Sequence, residues 1–177
     1  MKIILVMVMS ADGKITAGEN TNVQDWSSKE DLKYFSALIK KSSLIIMGRK
    51  TYETAKENMR LSKKNLRVII TGNPKKYERE KIENQLEFSN TPLAPLIKSL
   101  EKRGYKKGLL VGGAKTNASF IKANLINEMW LTVEPVILGK GRNLFLESPL
   151  MTSLKLLSSK KLNKKGTLLL KYDFFTI

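Results

Sequence analysis

Two short segments of the chain place glycine beside cationic and hydroxyl side chains, directly after an apolar run. The first reads Ile-Ile-Met-Gly-Arg-Lys-Thr-Tyr-Glu over residues 45–53, and the second reads Leu-Val-Gly-Gly-Ala-Lys-Thr over residues 110–116. In both, the apolar run is typical of a buried strand, and the residues after the glycine favour a helix. Each segment is therefore interpreted as a strand that turns directly into a helix.

Such a turn is suited to binding phosphate. The first turn of a helix carries unpaired N–H groups and a partial positive charge, and glycine lets the backbone approach an anion closely. Taken singly, each glycine is equally well explained as an aid to tight turning, since neither segment is a P-loop or a G-x-G-x-x-G motif. Two such turns on one sheet edge favour a dinucleotide. Because Arg49 and Lys115 oppose the helix dipole unless an anion is bound, they favour NADPH over NADH.

Composition restricts the remaining chemistry. The chain has no cysteine and no histidine. A disulfide scaffold, a thiol nucleophile, a cysteine-ligated metal and a serine–histidine pair are therefore excluded, and we predict no metal site. Acid–base chemistry must come from a carboxylate, lysine, tyrosine or water.

The chain is strongly basic, with 32 basic and 16 acidic residues and a formal net charge of +16. This charge suits phosphorylated cofactors or nucleic acid. A nucleic-acid-binding module without turnover is the remote alternative, because no aromatic-rich RNA-recognition motif is present. The apolar run at residues 3–9 is shorter than the roughly 20 residues of a membrane span, and it lacks the features of a signal peptide. We expect a cytoplasmic protein that takes a small-molecule substrate and does not bind membranes.

Apolar runs of strand length alternate with segments of helical periodicity. Strands are predicted at residues 3–9, 44–47, 68–71, 86–89, 109–111, 128–138, 153–158 and 167–174. Helices are predicted at residues 27–41, 48–56, 92–103 and 114–124, with a long polar loop at 10–24 that could act as a lid. This order predicts a single α/β domain over residues 1–177: a three-layer fold with a mixed, mostly parallel sheet flanked by helices and an antiparallel C-terminal edge. A second subunit could cover that edge, which makes a homodimer possible.

Several motifs, in order, resemble the dihydrofolate reductase superfamily over roughly residues 1–145. Residues 8–15 (Val-Met-Ser-Ala-Asp-Gly-Lys-Ile) resemble its opening strand and active-site loop, and residues 26–35 (Trp-Ser-Ser-Lys-Glu-Asp-Leu-Lys-Tyr-Phe) its W-x4-D-L-x-W-F pattern. The two glycine segments resemble its cofactor turns, and residues 129–132 (Met-Trp-Leu-Thr) the strand that follows. The superfamily contains dihydrofolate reductase and the reductase domain of the riboflavin-pathway deaminase–reductase. The resemblance therefore implies this three-layer fold and an NADPH-dependent oxidoreductase.

The resemblance also implies roles for individual residues. Asp31 is implied as the carboxylate that binds the substrate ring and supports its protonation, with Thr132 supporting Asp31. The implied substrate contacts are Val6, Trp26, Asp31, Leu32, Phe35 and Lys64. The implied cofactor contacts are Val8, Ile15, Gly48, Arg49, Lys50, Thr51, Thr71, Gly72, Val111, Gly112, Gly113, Ala114, Lys115 and Thr116.

Two substrates fit this resemblance. Dihydrofolate, reduced to tetrahydrofolate in one-carbon metabolism, is expected because Asp31 and its surrounding motif match. The alternative is 5-amino-6-(5-phosphoribosylamino)uracil, because residues 112–116 and 135–141 look more like the riboflavin branch. That branch usually has Glu where this chain has Val111. Folate enzymes have an Arg before the third strand, where this chain offers Lys64, a poorer bidentate partner for carboxylate.

Asp31 also has a purely structural explanation. A serine that caps a helix, followed three residues later by an acid, forms a capping box. Ser27 with Glu30, and Ser28 with Asp31, both fit that pattern. The residues alone favour a cap, whereas the resemblance favours a catalytic role.

Overall fold

The computed structural model describes residues 1–147, 149 and 151–175 of the 177-residue chain. Its strands are β1 (Lys2–Ser10), β2 (Leu44–Gly48), β3 (Leu66–Ile70), β4 (Leu86–Ser89), β5 (Lys107–Leu110), β6 (Glu128–Glu134), β7 (Ser153–Lys161) and β8 (Leu168–Phe175). They form one sheet in the order β4-β3-β2-β5-β1-β6-β8-β7. Strands β1 to β6 are parallel, whereas β8 runs antiparallel to β6 and β7 antiparallel to β8. The predicted fold class is confirmed.

Helices cover both faces of the sheet, which explains the continuous apolar runs of its central strands. The helices are α1 (Lys29–Lys41), α2 (Arg49–Ala55), α3 (Leu93–Lys102) and α4 (Ala114–Lys122). No helix in the described part of the chain is long and apolar enough to cross a membrane.

The two hydrophobic clusters follow the alternation of side chains along β1. Ile3 and Leu5 point to one face, where they belong to a cluster with Leu100 of α3 and Phe120 of α4. The next residues along the strand, such as Ile4, point to the other face. There the cluster contains Ile45, Tyr52 and Tyr77, and Phe35, Leu38 and Ile39 of α1 pack against it. The helix that carries Asp31 is therefore held on this second face.

The strand predicted at residues 128–138 is wrong beyond Glu134. Pro135 has no N–H to continue the ladder, and the Val136 N–H turns back to the Glu134 carbonyl oxygen at 2.8 Å. The following residues pair instead with the loop after β1, as described below. A second feature absent from the prediction is the 3-10 helix at Pro74–Glu80, which continues what looked like a simple turn after β3.

Candidate active site

The two glycine turns are in direct contact. They lie side by side because β2 pairs with β5, and the Gly48 N–H donates to the Gly112 carbonyl oxygen at 2.8 Å. A Cβ on Gly48 would overlap Oγ1 of Thr116, and a Cβ on Gly113 would lie 3.2 Å from Oγ1 of Thr51. Gly112 adopts φ 97, a conformation that favours glycine. Glycine is therefore required for the two turns to meet.

Both turns begin helices without a side-chain cap. Gly48 is the N-cap of α2 and Gly113 the N-cap of α4, and neither helix has an acid in its first turn. The first N–H groups of the two helices thus point from adjacent positions at one edge of the sheet. This donor set suits a diphosphate group, because both helix starts supply N–H donors and positive partial charge.

The cations at these turns differ in their ion pairing and exposure. The Arg49 guanidinium donates to Glu53 at 2.5 Å, in a pair that is partly exposed. Glu53 in turn accepts from the Tyr77 hydroxyl at 2.5 Å. Lys50 and Lys115 are exposed. An incoming anion would thus meet two exposed lysines and an arginine that is also paired with Glu53, and the contacts of all three with a cofactor stay predictions.

Asp31 is buried at the start of α1, with 5% of its surface exposed. Ser28, not Ser27, caps the helix, and its hydroxyl accepts from the Asp31 N–H at 3.2 Å. Burial raises the pKa of Asp31 to about 6; hydrogen bonding to Thr132 lowers this pKa, and the nearby charge of Glu134 raises it. Thr132 is itself 2% exposed. The predicted pair of Asp31 and Thr132 is therefore brought together.

Glu134 is a part of this cluster that sequence reasoning missed. It is 3% exposed, and its Oε1 accepts from the Ser28 N–H at 2.8 Å. Among the described residues, Asp31 and Glu134 are the only buried carboxylates. The sequence did carry one signal for it: Glu134 is an acidic residue within a predicted strand of mostly apolar residues, and a charged residue there is rarely buried without a specific partner.

The other predicted substrate contacts are dispersed around α1. Leu32 borders a shallow groove on the outer side of α1, with Lys33, Ser36, Ala37 and Lys40. Phe35 packs against the cluster beneath the helix instead. Val6 is buried in that cluster and Trp26 is half-buried just before α1.

Lys64 is not brought near Asp31. It precedes β3, and its neighbour Asn65 donates to the carbonyl oxygen of Ile39. Ile39 and Asp31 both lie in α1, eight residues apart, so they are separated by roughly 12 Å along the helix axis.

The remaining predicted cofactor contacts lie along the same edge of the sheet. Val8 pairs in register with Thr132, and Ile15 is buried in the loop that follows. Thr71 is buried directly after β3, and its hydroxyl accepts from the Asn73 N–H at 3.3 Å. Gly72 is exposed. Their contacts with a cofactor stay predictions.

The loop predicted as a lid is fastened along its first half. The N–H groups of Ala11 and Ile15 donate to Val136 and Arg142, both at 2.8 Å, and the Gly18 N–H donates to Lys140 at 2.7 Å. Residues 136–143, predicted in part as strand, supply all three acceptors. We call these two paired segments, residues 11–18 and 136–143, the loop clamp.

Asp12 and Gly141 complete the loop clamp. The Asp12 carboxylate accepts from the N–H groups of Leu138 at 3.0 Å and Gly139 at 2.7 Å. Hydrogen bonds from the Ser10 hydroxyl and from these backbone groups lower the pKa of Asp12 to about 2. A Cβ on Gly141 would overlap the carbonyl oxygen of Thr16. The motif after β1 is thus explained by contacts with a segment more than a hundred residues away.

Comparison with known proteins agrees with this architecture. The protein is 29% identical over 174 residues to the uncharacterized protein YyaP of Bacillus subtilis, covering 90% of this chain and 88% of that protein. A putative riboflavin biosynthesis protein from Shewanella sp. PV-4 superposes with a TM-score of 0.80 at 22% identity, covering 99% of this chain and 100% of that chain. A diaminohydroxyphosphoribosylaminopyrimidine deaminase/5-amino-6-(5-phosphoribosylamino)uracil reductase from Thermotoga maritima superposes with a TM-score of 0.74 at 16% identity. That match covers 98% of this chain and 56% of the Thermotoga chain.

The family model of the RibD C-terminal domain matches residues 1–168. This match spans the paired glycine turns, the Asp31 cluster and the loop clamp. The chain therefore belongs to the RibD C-terminal domain family, the reductase family of the riboflavin pathway within the dihydrofolate-reductase-like superfamily.

Proposed function

We propose that the protein is an NADPH-dependent reductase of a phosphoribosylaminopyrimidine, the substrate class in the name of the Thermotoga relative. The observation that carries the proposal is the placement of a buried carboxyl, Asp31, at the same edge of the sheet as two uncapped helix starts. Such an arrangement offers one place for phosphate and another for a proton. Both are needed in a nicotinamide-dependent reduction.

The phosphates of the cofactor fit the paired glycine turns. The N–H groups at the starts of α2 and α4 would hold the diphosphate, and Lys50 and Lys115 would add charge. When bound, NADPH supplies the hydride. The preference for NADPH over NADH rests on the cations at these two turns, Arg49, Lys50 and Lys115.

Asp31 would supply the proton that accompanies the hydride. With a pKa of about 6, roughly a tenth of the Asp31 carboxyls hold a proton at pH 7, and the rest are ready to take one up. A general acid is most effective when its pKa lies near the working pH. Val111 stands where the riboflavin branch usually carries Glu, so Asp31 is the group that would perform this task here.

Dihydrofolate is the second candidate, and one observation favours it. The pairing of Asp31 with Thr132 is what the folate resemblance implies, and the groove beside Leu32 contains two cations, Lys33 and Lys40. A substrate with a carboxylate tail could extend along α1 toward them.

Turnover of the two substrates separates these candidates. The experiment follows NADPH oxidation with 5-amino-6-(5-phosphoribosylamino)uracil and with dihydrofolate, for the wild type and Asp31→Asn. We expect turnover of the pyrimidine and a loss of about a hundredfold or more in Asp31→Asn. Asp173→Asn, the same change on β8 opposite Glu128, is the matched control and should retain wild-type turnover.

The alternative outcomes are equally distinct. Turnover of dihydrofolate alone would overturn the first candidate in favour of the second. Turnover of neither substrate, together with tight and steeply salt-dependent RNA binding, would overturn the reductase proposal itself.

A further inference from the structure

We propose that Glu134 is a positioning residue for Asp31: it completes the cap of α1 from another strand and so leaves the Asp31 carboxyl free to act on the substrate. The inference rests on the proposed function, in which Asp31 supplies the proton. It adds a residue to the site that the sequence motif does not contain.

The cap of α1 is the first part of the argument. In a capping box, the acid three residues after the cap returns to accept from the N–H of the cap residue. Ser28 and Asp31 have this spacing, and the Ser28 hydroxyl does accept from the Asp31 N–H. The reciprocal bond, however, is made by Glu134, whose Oε1 accepts from the Ser28 N–H at 2.8 Å. Glu134 thus occupies the place that the capping box would give to Asp31.

The second oxygen of Glu134 is fixed as well. The hydroxyl of Thr167, which is fully buried, donates to Oε2 at 2.6 Å. The same hydroxyl accepts from the Asn163 side-chain amide at 2.8 Å, and that amide also donates to Glu30 at 3.2 Å. With both oxygens engaged, Glu134 is held in one orientation between the β7–β8 connection and the start of α1.

Charge is the third part of the argument. Glu134 on β6 and Tyr34 on α1 are the titratable groups that interact with Asp31, and hydrogen bonding to Thr132 also acts on its pKa. Tyr34 stays neutral, because burial and the charge of Asp31 raise its pKa to about 12.

The outward face of the helix start carries a different carboxylate, Glu30. Glu30 accepts from Asn163 there, with Lys33 and Lys165 close enough to lower its pKa. No cation of the described chain contributes to the pKa of Asp31. Burial is the main cause of the raised pKa of Asp31, and the nearby charge of Glu134 adds to it, which favours the protonated form that donates.

Glu134→Gln tests this role by carbon NMR titration of the Asp31 carboxyl. Glutamine keeps an acceptor for the Ser28 N–H but removes the charge. We expect the pKa of Asp31 to fall by about half a unit or more. If the protein turns over substrate, the decline of kcat at high pH should move to lower pH by the same amount.

Glu128→Gln is the matched control. It makes the same charge change on the same strand, where Glu128 pairs with Lys2 at 2.5 Å and with the Trp130 ring nitrogen at 2.8 Å. Its effect on the Asp31 titration should be negligible. An equal fall in the pKa of Asp31 in Glu134→Gln and Glu128→Gln would overturn the inference, because the effect would then come from the net charge of the protein.

Thr167→Val tests the positioning by a route that leaves the charge in place. Loss of the donor to Oε2 should loosen Glu134 and speed amide hydrogen exchange at Ser28 by about tenfold. Unchanged exchange at Ser28 in Thr167→Val would overturn the positioning of the helix start by Glu134, and an unchanged Asp31 titration in Glu134→Gln would overturn its charge effect on Asp31; the inference requires both. Neither readout needs substrate, so the expected changes in a protein without turnover would count against the proposed function alone.

Discussion

The start of α1 differs from the starts of α2 and α4 in how its unpaired N–H groups are treated. At α1 the protein satisfies its own donors: the Ser28 hydroxyl bonds the Asp31 N–H, and Glu134 bonds the Ser28 N–H. At α2 and α4 the N-caps are Gly48 and Gly113, which have no side chain to offer. Carboxylates thus lie at the start of α1, whereas the starts of α2 and α4 have no side-chain cap.

This difference divides the site into two electrostatic regions. A phosphate near α1 would meet the buried carboxyls of Asp31 and Glu134, whereas near α2 and α4 it would meet N–H donors and lysines. Under the proposed function, this difference in charge would orient the bound cofactor. In the proposed reaction, the phosphates bind at the glycine turns and the reacting ring binds beside Asp31.

The largest effect is expected from Gly48→Ala, which removes the contact between the two uncapped helix starts. The new methyl group would overlap Thr116 Oγ1. We expect a loss of about 1–3 kcal/mol in the free energy of unfolding and NADPH binding weakened by about a hundredfold. Calorimetric titration with NADPH and urea unfolding measure the two quantities.

Thr116→Ala supplies the control for this prediction. Combined with Gly48→Ala it removes the overlapping atom, so the double variant should recover part of the NADPH affinity and stability that Gly48→Ala alone loses, with Thr116→Ala alone as the reference for the effect of losing the hydroxyl. Wild-type affinity and stability in Gly48→Ala would show that the close contact is not needed.

Asp31→Asn should make the protein more stable while abolishing its proposed proton transfer. The folded-state pKa of about 6 lies above the ordinary value of 3.8, so the charged carboxyl destabilises the folded protein. This cost is absent below pH 3.8, grows as the pH rises to about 6 and is constant above that. Asn removes it, with an expected gain of up to about 3 kcal/mol at pH 8.

Urea unfolding at pH 8 and pH 4 checks this prediction, with Asp173→Asn as the control of equal charge change. The difference in the free energy of unfolding between Asp31→Asn and the wild type should nearly vanish at pH 4. A gap of the same size at both pH values would mean that the pKa of Asp31 is not raised.

The smallest effect is expected from Ser28→Ala, which removes the cap that distinguishes α1 from α2 and α4. Loss of the bond to the Asp31 N–H should lower the free energy of unfolding by about 1 kcal/mol. Ser27→Ala is the matched control, because the buried Ser27 hydroxyl has no hydrogen-bond partner in the described chain. Equal losses in the two variants would argue against Ser28 as the cap.

Local signals were sufficient to predict much of this molecule. The apolar run before Gly48 and the helix-forming residues after it lie together in the chain, so periodicity and turn chemistry identified them. The rule that parallel strands end at one edge placed both glycine turns at the same edge of the sheet, whereas their direct contact follows from the pairing of β2 with β5, which no local signal indicates. The W-x4-D-L-x-W-F resemblance identified Asp31 as a site residue, although the spacing of residues in that motif does not show that its side chain is buried.

Contacts between distant residues were beyond sequence reasoning. Glu134 lies 106 positions from Ser28, and nothing in its neighbourhood indicates that it caps another element. Residues 135–138 have strand composition, yet Pro135 and the loop clamp end the ladder at Glu134. The ion pair of Arg49 with Glu53 had a local signal, since the two residues are one helical turn apart.

The loop clamp has a consequence for motion. The amides of Ala11, Ile15 and Gly18 are hydrogen-bonded only as long as residues 136–142 remain in place. The two segments should consequently open and close as one cooperative unit, despite their separation in the chain. Solvent isotope exchange at those three amides would report the opening of that unit, and a side chain introduced at Gly141 would accelerate all three together.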